Sequence, residues 1–153
     1  MQVNTILVPC DFSEHAEHAF KWALGLAEGW GAKIILLHAA PVFSHLAYPE
    51  SVYMLDLAKM EAEALADAEK RLTDFAAKKG TSPVKVEIRA VSGEPVWQIC
   101  QAVEQEHADL IVMGSHGRTG LAHVLLGSVA ERVARHASCP VLIARLPRPS
   151  TQA

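Results

Sequence analysis

Short apolar runs alternate along the chain with longer stretches whose apolar residues recur at helical spacing. Each change of period predicts a change of element. Residues 3–9 (VNTILVP) are apolar, rich in β-branched side chains and ended by proline, which predicts a buried strand. Either Asp11 or Ser13 can cap the helix that follows, and the Asp11/Glu14 spacing fits a capping box. That helix runs to about Trp30, with Ala16, Ala19, Phe20, Ala23 and Ala27 on one face and Gly29 and Gly31 at its end. Residues 33–39 (KIILLHA) predict a second buried strand. Residues 41–51 form a loop with two prolines and two aromatics, of a length suited to a lid or a ligand-side wall. A long helix over 53–79 places Leu65, Ala68, Leu72 and Phe75 on its dry side and closes at Gly80.

Residues 84–91 (VKVEIRAV) alternate apolar and polar, the pattern of a strand with one wetter face, as at a sheet edge. Pro95 is placed for a helix start, and Val96, Ile99, Cys100 and Val103 give that helix its apolar face to about His107. Residues 109–114 predict the fourth strand, 129–137 the last helix and 141–146 (VLIARL) the last strand. The order β-α-β-α-β-α-β-α-β, with strands mostly too apolar to be half exposed, predicts an α/β fold: a parallel five-stranded sheet with helices on both faces. The orders 3-2-1-4-5 and 2-1-3-4-5 are both legal, but the second puts the alternating third strand in the centre. Residues 1–147 read as one domain and 148–153 as a disordered tail.

Composition narrows the function classes. At 153 residues the chain can bury a real core, and its net charge of −3 counts against nucleic acid as the main partner. Cys10, Cys100 and Cys139 are an odd set without CxxC spacing and read as reduced thiols in a cytoplasmic protein. The opening residues lack the regions of a signal peptide, and no apolar run reaches the roughly 18–20 residues of a membrane span.

The candidate chemistry gathers in residues 111–128, IVMGSHGRTGLAHVLLGS. An apolar strand, a glycine-rich loop and a helix start follow in that order, which can wrap a phosphate chain with backbone N–H groups. Strand 4 ends at Met113 and strand 1 at Pro9, so in the order 3-2-1-4-5 the loop and Asp11 flank one crevice. Each residue also has a structural reading. Gly114, Gly117, Gly120 and Gly127 can serve positive φ in a turn. Ser128 with Glu131 makes a capping box, and Asp11 can be a helix cap. A carboxylate repels phosphates, so as a ligand Asp11 suits ribose hydroxyls. His116 and Arg118 can reach phosphates or simply lie in a solvated loop, and Thr119 and His123 are weaker candidates. His15 and His18 sit one turn apart, but nothing completes a metal set, so they read as exposed. His38 reads as a partly buried structural histidine and Cys10 as packing.

Several chemistries are missing. There is no GxxxxGK[ST], no GxGxxG after the first strand, no GxSxG elbow and no nucleophile–base pair. A receiver domain would want an acidic residue after strand 3, where this chain has Ala90-Val91-Ser92.

From Ile6-Leu7-Val8-Pro9 to Val141-Leu142-Ile143-Ala144 the chain resembles the universal stress protein family, and Gly114, Gly117, Gly127 and Ser128 match its Gly-x2-Gly-x9-Gly-Ser motif. The resemblance implies the ATP-binding branch, a Rossmann-like, adenine nucleotide alpha hydrolase-like fold and the order 3-2-1-4-5. It implies that Asp11 meets the ribose or adenine end, that Ala39 lines the adenine pocket through its backbone, and that Pro9 is among the nucleotide-binding residues. Met113 and Gly114 would flank ribose and phosphates. Gly117, Gly127, Ser128 and Val129 would hold the phosphates, with His116 and Arg118 close by. Some relatives carry a threonine where this chain has Ala130. ATP, or AMP or ADP, would be the ligand, accompanied by Mg2+ or Mn2+ with no protein metal ligand named. A homodimer would pair the last strand through Val141, Ile143 and Arg145. The resemblance implies an ATP-binding stress-response or regulatory protein with an unidentified protein partner. The alternative is a slow ATPase or phosphotransferase using His116 or Arg118; the chain supplies positioning groups and no convincing base, which favours binding.

Overall fold

The computed structural model of the chain describes residues 2–40, 54–117 and 126–147, with residues 54–56 as backbone only. Five parallel strands, β1 (Thr5–Pro9), β2 (Lys33–Ala40), β3 (Val86–Ser92), β4 (Leu110–Gly114) and β5 (Val141–Ala144), make one sheet in the order β3-β2-β1-β4-β5. They alternate with helices α1 (Glu14–Trp30), α2 (Met54–Ala76), α3 (Pro95–Gln105) and α4 (Ser128–His136); a 3-10 turn (Ala77–Lys79) ends the second. This is the α/β architecture and the strand order that the pattern favoured. The loop over 41–51 and the tail over 148–153 fall outside the described residues.

Period-2 side-chain alternation explains why the inner strands are apolar throughout. Ile6, Val8, Ile34, Leu36 and Val112 face one side and pack under α1 and α2, with Phe20, Ala23, Leu72 and Phe75. Leu7, Ile35, Leu37, Ile111 and Met113 face the other and pack under α3 and α4, with Val96, Ile99, Val103 and Val133. No described helix is long and apolar enough to cross a membrane.

The two edges differ. Along β3 every residue is half buried, and Glu87 is paired with Lys33, Lys85 and Arg89, the last also held by Glu106. Such charges keep an edge from pairing with another chain. Along β5, Val141, Leu142 and Ile143 are half buried and apolar, and the strand is shorter than expected, ending at Ala144. β1 also starts later than its apolar run, because the Asp109 carboxylate accepts from the N–H groups of Asn4 (2.8 Å) and Thr5 (3.0 Å).

At α1, Ser13 is the cap: its hydroxyl accepts from the Ala16 N–H at 3.2 Å. Asp11 is one step removed; its Oδ1 accepts from the Ser13 N–H at 3.0 Å and from the Ser13 hydroxyl at 2.6 Å. Gly31 closes the helix in the left-handed region, φ 70°. The small inner face of α1 lets it approach β4 closely: a Cβ built on Gly114 would stand 2.8 Å from Cβ of His15.

Candidate functional site

α1 and α2 cover one face of the sheet and α3 and α4 the other, so a crevice opens at the carboxyl ends of the central strands. A cavity of about 450 Å³ occupies it, within the range of small-molecule sites. Pro9, Ala39, Met113 and Gly114 line it from the strand ends. Asp11 lines it from the β1–α1 turn, His116 and Gly117 from the loop after β4, and Gly127, Ser128 and Val129 from the start of α4. Every residue singled out as a ligand contact therefore reaches one cavity, except Arg118, which lies outside the described residues along with Thr119, Gly120 and His123.

Sequence reasoning missed part of the wall. Pro95 and Ile99 come from α3 and Ala130 from α4, while Cys10, Ala16, Leu37 and His38 complete the lining. The helical spacing of Val96, Ile99 and Val103 does mark the inner face of α3. That the front of this face meets the cavity is a matter of helix placement, which periodicity does not encode.

The glycines serve close approach, not turn conformation. None of Gly114, Gly117 and Gly127 has positive φ. A Cβ on Gly117 would press against Asp11 Oδ2 at 2.8 Å, so the loop passes directly over the carboxylate. A Cβ on Gly127 would meet the Ser115 carbonyl oxygen at 3.2 Å and His116 Cα at 3.3 Å. The Gly127 N–H donates to that same carbonyl at 2.7 Å and closes the loop on itself.

This bond corrects the expected capping box at Ser128 and Glu131. It holds Gly127 in the extended cap position (φ −66°, ψ 153°), so Ser128 becomes the first helical residue and, among the described residues, no side chain caps α4. Glu131 instead pairs with Arg135 at 2.6 Å. The first helical bond runs from the Glu131 N–H to the Gly127 carbonyl, at 2.9 Å. The N–H groups before it have no partner within the helix and carry the positive end of its dipole. They belong to Ser128, Val129 and Ala130, all three of which line the cavity. α3 resembles α1 instead: the Glu94 carboxylate accepts from the Trp97 N–H at 2.9 Å, and that bond, with Arg132 beside it, holds the Glu94 carboxyl below its usual value.

The histidines also depart from expectation. His15 is half buried, its ring 5.3 Å from that of His116 between centroids, and its Nδ1 is buried with no partner among the described residues. Burial first, then His116, push its pKa below the ordinary value. His116 Nδ1 lies 3.0 Å from the Ser115 hydroxyl. His18 is half buried as well, with Nε2 accepting from the Trp22 indole at 3.1 Å. His38 is buried and structural, as read; its Nδ1 lies 2.7 Å from the Cys10 carbonyl and must donate, since a carbonyl only accepts. Burial raises the Cys10 thiol to about 12, which makes it inert as a nucleophile. Among the described residues no group of three or more His, Cys, Asp or Glu could hold a metal ion. The arrangement can therefore seat an anion at the start of α4 and accept a hydroxyl at Asp11. Among the described residues it offers no activated nucleophile.

A sequence profile of the universal stress protein family matches residues 2–145. Universal stress protein MJ0531 of Methanocaldococcus jannaschii is 34% identical over 143 residues, which span 94% of this chain and 82% of that protein. In structure, the hypothetical protein MJ0577 from the same organism aligns with a TM-score of 0.83 at 29% identity, covering 97% of this chain and 100% of that one. A universal stress protein solved in complex with cAMP aligns with a TM-score of 0.65 at 30% identity, covering 94% of this chain and 97% of the other. The chain belongs to the universal stress protein family.

Proposed function

We propose that the cavity binds an adenine nucleotide, with ATP as the main ligand and ADP or AMP as alternatives, and that the protein acts by binding. The observation that carries this is the start of α4, without a side-chain cap among the described residues, opening into a cavity that the Asp11 carboxylate also lines. Phosphates suit the N–H groups of Ser128 and Val129 and the Ser128 hydroxyl, with Gly117 and Gly127 leaving room for close approach. His116 adds a hydrogen-bonding ring there; Arg118, given the same role by the sequence, lies outside the described residues. Asp11 suits the ribose, away from the phosphates that would repel it. Ala39 and Pro9 form the base end, and Met113 and Gly114 the floor between. The complex of a relative with cAMP supports an adenine nucleotide as the ligand class.

The described residues do not fit a dedicated metal site, so Mg2+ or Mn2+ would come with the nucleotide. Nucleotide occupancy would set a conformation or an interaction with a protein partner in the cytoplasm. The apolar β5 edge, in contrast to the charged β3 edge on the other side of the sheet, supports a homodimer paired through Val141, Ile143 and Arg145. Ile143→Lys should then shift the protein from dimer to monomer in analytical ultracentrifugation. Unchanged sedimentation would remove β5 from the interface.

Binding and turnover are separated by purifying the protein with its nucleotide and following phosphate release. The expected result is retained nucleotide with negligible turnover. Sustained hydrolysis that His116→Ala abolishes would replace the binding reading with an enzymatic one.

A further inference from the structure

Phe12 is an aromatic residue in the left-handed backbone region, φ 66°, between Asp11 at the cavity and Ser13 at the cap of α1. Side chains with a Cβ are strained there, whereas glycine adopts the conformation freely. Such strain persists only where the surroundings over-determine it. Here they do. The Arg71 guanidinium of α2 lies over the Phe12 ring, 4.0 Å from its centroid. The His38 ring packs at 4.6 Å and Phe75 meets it edge-on at 6.1 Å. His38 in turn donates to the Cys10 carbonyl at 2.7 Å, and the Cys10 N–H donates to the Leu37 carbonyl at 2.7 Å. The turn is thus gripped from β2 and from α2 at once.

What the grip fixes is the direction of the Asp11 carboxylate. Oδ1 turns back to Ser13, and Oδ2 points across the crevice toward Gly117. A turn relaxed to negative φ at Phe12 would swing this carboxylate away from the cavity.

The geometry points to Phe12 and Arg71 as positioning residues for Asp11: the ring, clamped by the α2 guanidinium, holds a strained turn that aims the carboxylate at the ribose of the bound nucleotide. This rests on the nucleotide reading of the cavity and adds to it a mechanical link from α2 to the sugar end.

The test is calorimetric titration of the full chain with ATP, 2′-deoxy-ATP and 3′-deoxy-ATP. Phe12→Ala keeps the strain and loses the clamp, and should weaken ATP about tenfold, a factor worth about 1.4 kcal/mol. Phe12→Gly accepts the turn without strain and should stay within about twofold of the parent. Arg71→Gln, at a half-exposed position, should weaken ATP about threefold. Phe12→Ala and Arg71→Gln should also shrink the preference for ATP over the deoxy analogues, which general destabilisation would not do. In an Asp11→Asn background neither should have any further effect.

If Asp11→Asn is weakened while Arg71→Gln and Phe12→Ala bind like the parent, the inference is overturned and the nucleotide site stands. Phe12→Gly as weak as Phe12→Ala also overturns it, because the ring would then matter only as packing. Should Phe12→Ala fail to fold, Phe12→Gly and Arg71→Gln carry the decision. A folded parent that binds none of the three nucleotides overturns the site itself.

Discussion

α1 and α4 both start at the carboxyl end of the sheet, each beside a serine, and their first turns are built in opposite ways. At α1 the Ser13 hydroxyl accepts from Ala16, and Asp11 braces the serine, so a side chain caps one of the helix's leading donors. At α4 the serine has moved inside the helix, Gly127 takes the cap position, and among the described residues no side chain caps the first turn. By sequence the second start looks the better capped, since Ser128 has a glutamate three residues on and Ser13 does not. The difference lies in the Gly127 N–H, committed to Ser115 at 2.7 Å. That contact leaves α4, unlike α1, starting on a glycine with no side-chain cap among the described residues, an end able to receive an anion.

The largest test of this contrast is Gly127→Val. Its φ of −66° suits valine, so the backbone conformation is retained, but the new side chain must displace the Ser115 carbonyl and His116 and fill the cavity mouth. ATP affinity should fall by at least about a hundredfold, roughly 2.7 kcal/mol. Unfolding stability should change by only about 1 kcal/mol. Calorimetric titration and thermal unfolding read the two quantities, and normal ATP binding by the folded variant would place the phosphates elsewhere.

The two serines sharpen the comparison. Ser13→Ala removes a true cap and should lower stability by about 1 kcal/mol in urea unfolding. Ser128→Ala should leave stability within about 0.5 kcal/mol and weaken ATP about fivefold, the scale of one lost hydrogen bond of about 1 kcal/mol. If Ser128→Ala proves the more destabilising of the pair, α4 is capped after all and its open end is lost as an argument.

These contrasts also mark where the sequence was legible. The inner strands could be read because burial on both faces turns them into continuous apolar runs, and the charged alternation of 84–91 placed β3 at an edge. The glycine spacing located the loop, but the reason for it, passage over Asp11 and against Ser115, depends on segments far apart in the chain. Capping was misread at Ser128 for the same reason, a tertiary bond outranking a local motif. Nothing local announces a left-handed Phe12, which exists only because α2 and β2 close on its ring. Pro95 and Ile99 entered the cavity wall through helix placement alone.

The smallest effect expected concerns the point where the two helix starts touch. His15, in the first turn of α1, packs at a tilt against His116 of the loop before α4, with Asp11, Glu14 and His18 also near it. Its pKa in the folded protein lies below the ordinary 6.5, chiefly through burial and then through His116. As pH falls through that ordinary value, the unfolded chain takes up a proton that the folded chain refuses, so stability must drop. The loss begins near 6.5, grows until the folded-state pKa is reached and then levels off. Above that window His15 contributes no pH dependence. His15→Gln should therefore flatten the stability profile between about pH 7.5 and pH 5.5 relative to the parent, measured by urea unfolding at each pH. An identical slope in the variant would mean that His15 titrates normally, and that the contact between the two helix starts opens in solution far enough to hydrate its buried Nδ1.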